Sequence, residues 1–418
     1  MVAGRLVPLG QGEHGPAFGF IYGKSYLANP RAIPLNSIEL PLGEQTIAPA
    51  AGLGLAGGLR DACPDAWGRR VILNKLFGKA PTQAAEDSLD ETTFMLESGS
   101  DRIGALDFQQ SPTHYVPRSS DHASLEELLR AAQLIEQGIP LSPELDQALR
   151  HGSSIGGARP KALLQDGGRK YVAKFSSSTD TMNVVKAEFI MMRLASRLGI
   201  DAAPVRLERA LGKDVLLIER FDRVEQGGAW QRKLMVSALT LQGLDEMMAR
   251  YTSYENLTHI IRKQFKNPKA DLRELFRRLV FNVLCGNTDD HARNHAAFFD
   301  GQHYALTPAY DICPQVRSGN VASQGMLIIG AANQSQVSLC LEAAHLFLLA
   351  PAEAQAIVSE LIEGIGEHWA LTCQEAAISP VDRNQLATRQ MLNPFCFEGL
   401  AIPALAQRAT AIRATLPA

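Results

Sequence analysis

Asn287-Thr288-Asp289-Asp290-His291-Ala292-Arg293-Asn294, followed by Leu306-Thr307-Pro308-Ala309-Tyr310-Asp311-Ile312, is the stretch that decides the reading of this chain. It sets an Asp, an Asn five residues later, and a second Asp seventeen residues beyond that Asn. These residue types suit phosphoryl transfer. One carboxylate, Asp289, accepts or orients the proton of an attacking hydroxyl. The amide oxygen of Asn294 and the carboxylate of Asp311 are hard oxygen donors of the kind that hold Mg²⁺ against phosphates. Asp289, Asn294 and Asp311 are therefore the candidate core of a phosphotransfer site, with ATP and Mg²⁺ as the expected cofactors. His291 is expected to fix the loop by packing and hydrogen bonding close to the reacting centre, and Arg293 to neutralise phosphate charge.

A second reading of the same stretch is a metal hydrolase. His291 and His295 are four residues apart and would share one face of a helix, as zinc ligands can. No Glu lies between them to act as the general base of such enzymes. The histidine pair also leaves the upstream motifs without a purpose. Asp290 has no evident role on either reading and reads as a solvated residue.

Upstream lie three features in the order that a kinase-like N-lobe needs: a loop over the phosphates, a strand lysine, and a helix to orient that lysine. Protein kinases also space their catalytic Asp and Asn as here, with a metal-binding Asp further on. The loop is Ser153-Ser154-Ile155-Gly156-Gly157-Ala158-Arg159-Pro160-Lys161. Gly156 and Gly157 let backbone N–H groups approach phosphate oxygens closely, so Ser154 to Ala158 would cover the γ-phosphate. Lys174, in the apolar strand Tyr171-Val172-Ala173-Lys174-Phe175, would bind the α- and β-phosphates, and Glu188 on the following helix could pair with it. Taken singly, each has a plainer reading. A Gly-Gly is usually a turn, Lys161 a solvated lysine, Lys174 an edge-strand gatekeeper, and Glu188 a solvated helix residue. Their order gives them weight. Glu219-Arg220-Phe221-Asp222-Arg223 ends the last strand of this lobe. As a hinge it would bind adenine through the backbone of Glu219 and Phe221, with Asp222 near the ribose.

At 418 residues the chain is long enough for two or three domains or lobes. A hydrophobic content of 46% with 20% charged residues is that of a globular protein. The net charge of −3 gives no global footprint for nucleic acid. Six scattered cysteines, without CxxC pairs, read as reduced thiols of a cytoplasmic protein. No signal peptide is evident, and no run approaches the ~20 apolar residues of a membrane span.

The expected organisation is α+β, in three parts. Residues 1–110 form a Gly- and Pro-rich α+β subdomain. Here Phe18–Tyr22 is a strand, Ser25-Tyr26-Leu27 begins its hairpin partner, one helix starts at Pro64-Asp65, and another runs over 84–101 from an acidic first turn at Glu86 and Asp87. Residues 111–225 form the lobe with the phosphate loop and hinge. It contains an amphipathic helix from Ser124 with a Ser124/Glu127 capping box, a short helix from Pro143, strands over 170–175 and 214–221, and a helix over 184–198. Residues 226–418 are mainly helical, with apolar 3-4 spacing over 255–267, 271–285, 352–363, 366–377 and 403–415.

Taken together these motifs resemble the HipA family of serine/threonine kinase toxins from bacterial toxin–antitoxin pairs, over nearly the whole chain. Phe18–Tyr22, Pro34-Leu35, Leu40-Pro41-Leu42, Pro64-Asp65-Ala66-Trp67-Gly68-Arg69 and Asp101-Arg102-Ile103-Gly104-Ala105-Leu106 resemble the family's leading subdomain. The loop 154–161, Val172-Ala173-Lys174-Phe175, the 219–223 segment and the tandem 288–294 and 306–312 motifs complete the likeness. The resemblance implies a two-lobed protein-kinase-like fold and ATP- and Mg²⁺-dependent transfer to a Ser or Thr of a protein, typically an aminoacyl-tRNA synthetase. It also implies a small helix-turn-helix antitoxin as partner, with DNA reached indirectly through it, and autophosphorylation in the phosphate loop at Ser154, or at Ser153 beside it. A phosphate there would repel the nucleotide's own phosphates. Departures mark a divergent branch. The loop ends in Pro160-Lys161, Asp290 stands where glycine is common, and Gln231–Leu239 lacks the His-x-Glu-Asp segment of many members. Two rivals share parts of this pattern: a small-molecule kinase with an H-x-D-x-x-x-x-N loop, against which Thr288 stands before the Asp, and a pseudokinase or regulatory binding protein, against which the set of Lys, Asp, Asn and Asp is intact.

Overall fold

A computed structural model describes every residue except 13–14, 79–88, 119–122, 150–156, 318 and 418. The chain divides into two compact units. The first comprises Met1–Asp180, Glu208–Val236 and Phe298–Gln302; the second comprises Thr181–Leu207, Ser237–Ala297 and His303–Ala418.

The first unit opens with antiparallel strands β1 (Gly4–Gly12) and β2 (Gly15–Tyr22). The expected strand at Phe18–Tyr22 is present, but its partner precedes it in sequence. Ser25-Tyr26-Leu27 instead lies in the helical turn Lys24–Leu27. That turn stacks the Tyr26 ring on Tyr22, with centroids 5.7 Å apart, and lets the Tyr26 hydroxyl donate to Ile33 O at 2.8 Å. Phe20, Tyr22, Leu35, Leu40 and Leu59 close a small core beneath.

The helix predicted from Pro64-Asp65 runs over Ala66–Phe77, with Asp65 as its N-cap and Gly78 ending it at φ 64°. The next helix is shorter than the pattern predicts. It spans Glu91–Glu97, because Asp90 caps it by accepting from Thr93 N, and the chain extends again at Ser98. Glu86 and Asp87 lie outside the described residues.

Leu125–Glu136 carries the expected capping box between Ser124 and Glu127, and Pro143–Leu149 follows as a short helix. Strands β3 (Lys161–Asp166), β4 (Arg169–Phe175), β5 (Val205–Ala210) and β6 (Lys213–Glu219) form a sheet in the order β3-β4-β6-β5. Alternation decides its faces. Tyr171, Ala173 and Phe175 of β4 pack with Val215 and Leu217 of β6 against Leu128, Leu129, Ile135 and Trp67. Each such large apolar side chain contributes about 1.5–3 kcal/mol when taken out of water. Val172 and Lys174 therefore fall on the other face. A hairpin, β7 (Arg223–Gln226) and β8 (Ala229–Arg232), turns through Gly227-Gly228, both at positive φ, as a two-residue turn demands.

The second unit is mainly helical. Its helices include Val184–Arg197, Tyr254–Gln264, Pro268–Cys285, Pro351–Glu375 and Pro403–Thr415. The two helices expected over 352–363 and 366–377 are one element of 25 residues. Gly364 and Gly366 do not break it; they make room for neighbours. A Cβ on Gly364 would collide with Leu198, and one on Gly366 would lie 2.8 Å from the Ile412 side chain. All six cysteines are buried free thiols, and burial pushes Cys285 and Cys373 up to about 12. No helix among the described residues is long and apolar enough to cross a membrane.

Candidate functional site

In the first unit, the register of β3 and β4 sets Lys161 directly opposite Lys174, and Ala162 opposite Ala173. The alanines face the core, so both lysines stand on the other face, and both are buried. Like charges on facing positions repel, so this register sets two positive charges side by side. Lys161, read from sequence as the end of the loop, is the first residue of β3. Its ammonium lies so close to Gly157 that a Cβ on that glycine would collide with it, and Gly157 also sits at φ +98°. The positive φ is what calls for glycine there. Ala158 follows it, and Arg159 is paired with Asp180 at 2.5 Å. Ser153, Ser154, Ile155 and Gly156 lie outside the described residues.

The 219–223 segment is tied inward. Asp222 is 2% exposed, and its carboxylate accepts from Arg220, from Arg223 and from Gly104 N, all at 2.8–2.9 Å. Asp101 accepts from Arg223 at 2.8 Å and Lys170 at 2.6 Å. Burial pushes both carboxyls up, but the guanidiniums of Arg220 and Arg223 more than offset it and hold them below the ordinary range. The carboxylate of Asp222 is thus engaged inside the unit, and the ribose contact expected of it gives way to a structural tie. Glu219 pairs with Arg169, and Phe221 meets Phe298 edge-on at 5.9 Å.

In the second unit, the helix Pro268–Cys285 ends at Gly286 (φ 73°) and releases the chain into the signature stretch. Asn287 is anchored at once, its N–H donating to Asn282 O at 2.9 Å and its amide to Asn282 Oδ1 at 3.1 Å. Asp289 and Asp290 then diverge. Asp289 is 64% exposed at its side chain, whereas Asp290 is 1% exposed. Asp290 accepts from the Tyr254 hydroxyl and pairs with His295 Nε2 at 2.7 Å. Burial, then the Asp290 charge, raises the Tyr254 phenol well above its ordinary value, so it stays a donor. The expectation that Asp290 is solvated is corrected: it is the buried anchor of the loop. Gly325 lets another strand of backbone press on it, since a Cβ there would stand 3.1 Å from Asp290 O.

Backbone hydrogen bonds close the turn between Asp289 and Asn294. His291 N donates to Asp289 O at 3.0 Å, and Asn294 N donates to His291 O at 2.9 Å. The Asn294 Nδ2 donates to that same Asp289 O at 2.9 Å. A carbonyl can only accept, so the amide's NH₂ must face it and Oδ1 points elsewhere. The His291 ring is 4.0 Å from the Asp289 carboxylate, beyond hydrogen-bond range, so its backbone rather than its imidazole shapes the turn. His291 and His295 do not share a helix face. Both are extended, on either side of the single 3-10 turn Ala292–Asn294, and His295 is engaged by Asp290. That removes the geometric basis of the zinc reading. Arg293 pairs with Glu246 at 2.6 Å.

Asp311 sits at φ 58°, in the left-handed region. An L-residue there costs roughly 1–2 kcal/mol, less for Asp than for most, and strain of this kind concentrates at functional positions. The flanking backbone holds it. Ala309 N donates to Asp201 O at 2.6 Å, Ala203 N to Ala309 O at 2.9 Å, and Gln315 N to Gly286 O at 3.0 Å. Arg278, buried, donates to Thr307 O at 2.9 Å. Asn294 and Asp311 both carry oxygen donors, the kind of ligand that Mg²⁺ takes. Among the described residues there is no group of three or more His, Cys, Asp or Glu able to hold a metal. Sequence reasoning missed Tyr254, Arg278 and Gly325, and the pairing of Asp290 with His295, although those two are near neighbours in the chain.

Comparison with known proteins converges on one family. "Putative kinase Y4mE" of Sinorhizobium fredii is 25% identical over 355 residues, covering 78% of this chain and 79% of that protein. The serine/threonine-protein kinase toxin HipA of Shewanella oneidensis is 27% identical over 183 residues, 38% of this chain and 42% of its own. A solved chain from the complex of Shewanella oneidensis HipA, HipB and operator DNA superposes with a TM-score of 0.66, covering 98% of this chain and 94% of its own. At 18% identity that likeness establishes the fold: α+β and kinase-like, as the motif order implied. A family model described as the HipA-like C-terminal domain matches residues 153–369, just over half the chain and inclusive of every residue of the signature stretch, so the chain belongs to the HipA-like family.

Proposed function

We propose that this chain is an ATP- and Mg²⁺-dependent serine/threonine protein kinase that acts as a growth-inhibiting toxin. The observation that supports the reading is the amide of Asn294 donating to the carbonyl of Asp289, whose own side chain is exposed; in this reading the amide oxygen is left to serve as a cation ligand. In this reading Asp289 accepts the proton of the acceptor hydroxyl, while Asn294 and Asp311 hold Mg²⁺. Lys174 and Lys161 take the phosphates of ATP, the loop Ser154–Ala158 covers the γ-phosphate, and the backbone of Glu219 and Phe221 receives adenine. The turn at His291 keeps Asp289 and Asn294 in register. When bound, Mg²⁺ offsets the charge that builds on the transferred group.

The protein acceptor is proposed to be a translation component such as an aminoacyl-tRNA synthetase. Ser154, or Ser153, is the proposed autophosphorylation site. A helix-turn-helix antitoxin is the proposed partner, as the naming of the structural neighbour with HipB and operator DNA suggests. The test is transfer from ATP labelled at the γ-phosphate, with phosphopeptide mass spectrometry on the chain and on a cell extract. Asp289→Asn should lower transfer by about 10²–10⁴-fold while leaving ATP binding in place. Transfer undiminished by that substitution, or label found on small hydroxyl compounds and on no protein, would sink the proposal.

A further inference from the structure

We infer that Asp65 is a positioning residue for the nucleotide: it clamps the end of the glycine loop onto the N-terminal part of the first unit. The inference rests on the ATP-binding reading above and assigns a task to a segment that reading leaves idle. Asp65 is the N-cap of the helix Ala66–Phe77, where an Asp ordinarily accepts from its own helix. Here its side chain makes no such bond. Its Oδ2 accepts instead from Gly157 N at 2.7 Å, a residue 92 positions away.

The same helix start takes the other side of that glycine. The Trp67 N–H, one of the first-turn donors that a helix leaves without an internal partner, donates to Gly157 O at 3.1 Å. The Trp67 indole N–H donates to Lys161 O at 2.8 Å, and the ring is buried in the core under the sheet. Both backbone groups of Gly157 and the carbonyl of Lys161 are therefore fixed from one place. Gly157 is also the residue whose α-carbon lies against the Lys161 ammonium. Where the loop leaves and where that ammonium sits are set together, so releasing Asp65 should loosen the phosphate-facing parts without touching the groups that do the transfer.

The experiment uses the full chain, with Asp65→Ala, Asp65→Asn and Trp67→Phe. It measures ATP–Mg²⁺ affinity by calorimetry, kcat and KM for ATP, and amide exchange in the peptide containing Gly157. Asp65→Ala is expected to weaken ATP binding and raise KM about tenfold, to keep kcat at saturating ATP within twofold, and to speed exchange at Gly157. Asp65→Asn keeps an acceptor oxygen and should recover most of the affinity. Trp67→Phe should give a smaller rise in KM and remains informative if the alanine variant fails to fold. A wild-type chain that binds ATP no better than its Asp65→Ala variant, or a variant that loses kcat at unchanged KM, overturns the clamp. A wild-type chain that binds no ATP overturns the kinase reading instead, and faster exchange in Asp65→Ala then still separates the two.

Discussion

In the first unit the part-buried carboxylate of Asp101 and the buried one of Asp222 are met by the full cations Arg220, Arg223 and Lys170. In the second, the buried Asp290 is met by a phenol and an imidazole, Tyr254 and His295. The guanidinium cluster joins segments 118–122 residues apart and ties the strand end at Arg220–Arg223 to Arg102 and Gly104. It is a brace. The Tyr254–Asp290–His295 group ties the loop itself to the start of the helix Tyr254–Gln264, and with Asp290 drawn inward Asp289 faces solvent. Adjacent acidic residues thereby take opposite places, one buried as an anchor and one exposed. The two clusters should respond differently when one partner is removed.

The largest difference is expected from Arg220→Ala. It leaves the buried Asp222 and the part-buried Asp101 with one guanidinium fewer, and breaking a buried pair in this way costs about 3–5 kcal/mol. Tyr254→Phe removes one hydrogen bond to Asp290 and should cost about 1–3 kcal/mol. Urea denaturation of the two variants beside the parent chain measures both. Equal losses would erase the contrast.

How far this was legible in sequence follows the same division. The turn that joins Asp289 to Asn294 and the Ser124/Glu127 capping box are local, so residues a few positions apart meet there whatever the rest of the fold does. The inward turn of Asp222 was not legible, since its partner at Gly104 lies 118 residues away. Nor was the anchoring of Asp290, because Tyr254 carries no local signal and the helical spacing of His291 and His295 suggested a helix where the chain is extended. The apolar spacing gave two helices, 352–363 and 366–377, where there is one, and the neighbours that use the space at Gly364 and Gly366, Leu198 and Ile412, are distant in sequence.

The contrast also has a pH signature. Asp101 and Asp222 have folded-state values below those of the unfolded chain, where Asp titrates near about 3.9. Their contribution is thus fully present above that range and is lost as pH falls through the folded values. Tyr254 has the opposite sign. Its folded value lies above the unfolded phenol value of about 10, so its contribution is present below that pH and is lost as pH rises beyond it. Stability should therefore fall on an acid limb governed by the arginine cluster and on an alkaline limb governed by Tyr254. Circular dichroism against pH checks this. Asp222→Asn should flatten the acid limb alone, and Tyr254→Phe the alkaline limb alone.

Asp290→Asn is the gentlest probe and bears most directly on function. The amide keeps a similar shape, and its oxygen can accept from the Tyr254 hydroxyl. Its NH₂ then faces His295 Nε2, which can accept if the ring proton moves to Nδ1. The network survives with its charge removed, so the cost in stability should be about 1 kcal/mol. A loop held less firmly would nevertheless misplace Asp289, and small misplacements of a catalytic group lower turnover disproportionately. The expected outcome is a several-fold fall in kcat with KM for ATP unchanged, because Lys161 and Lys174 are untouched. Asp290→Ala, which leaves both Tyr254 and His295 without their acceptor, should deepen the fall. If kcat in the Asn variant equals that of the parent, the anchor shapes the fold and has no bearing on the chemistry next to it.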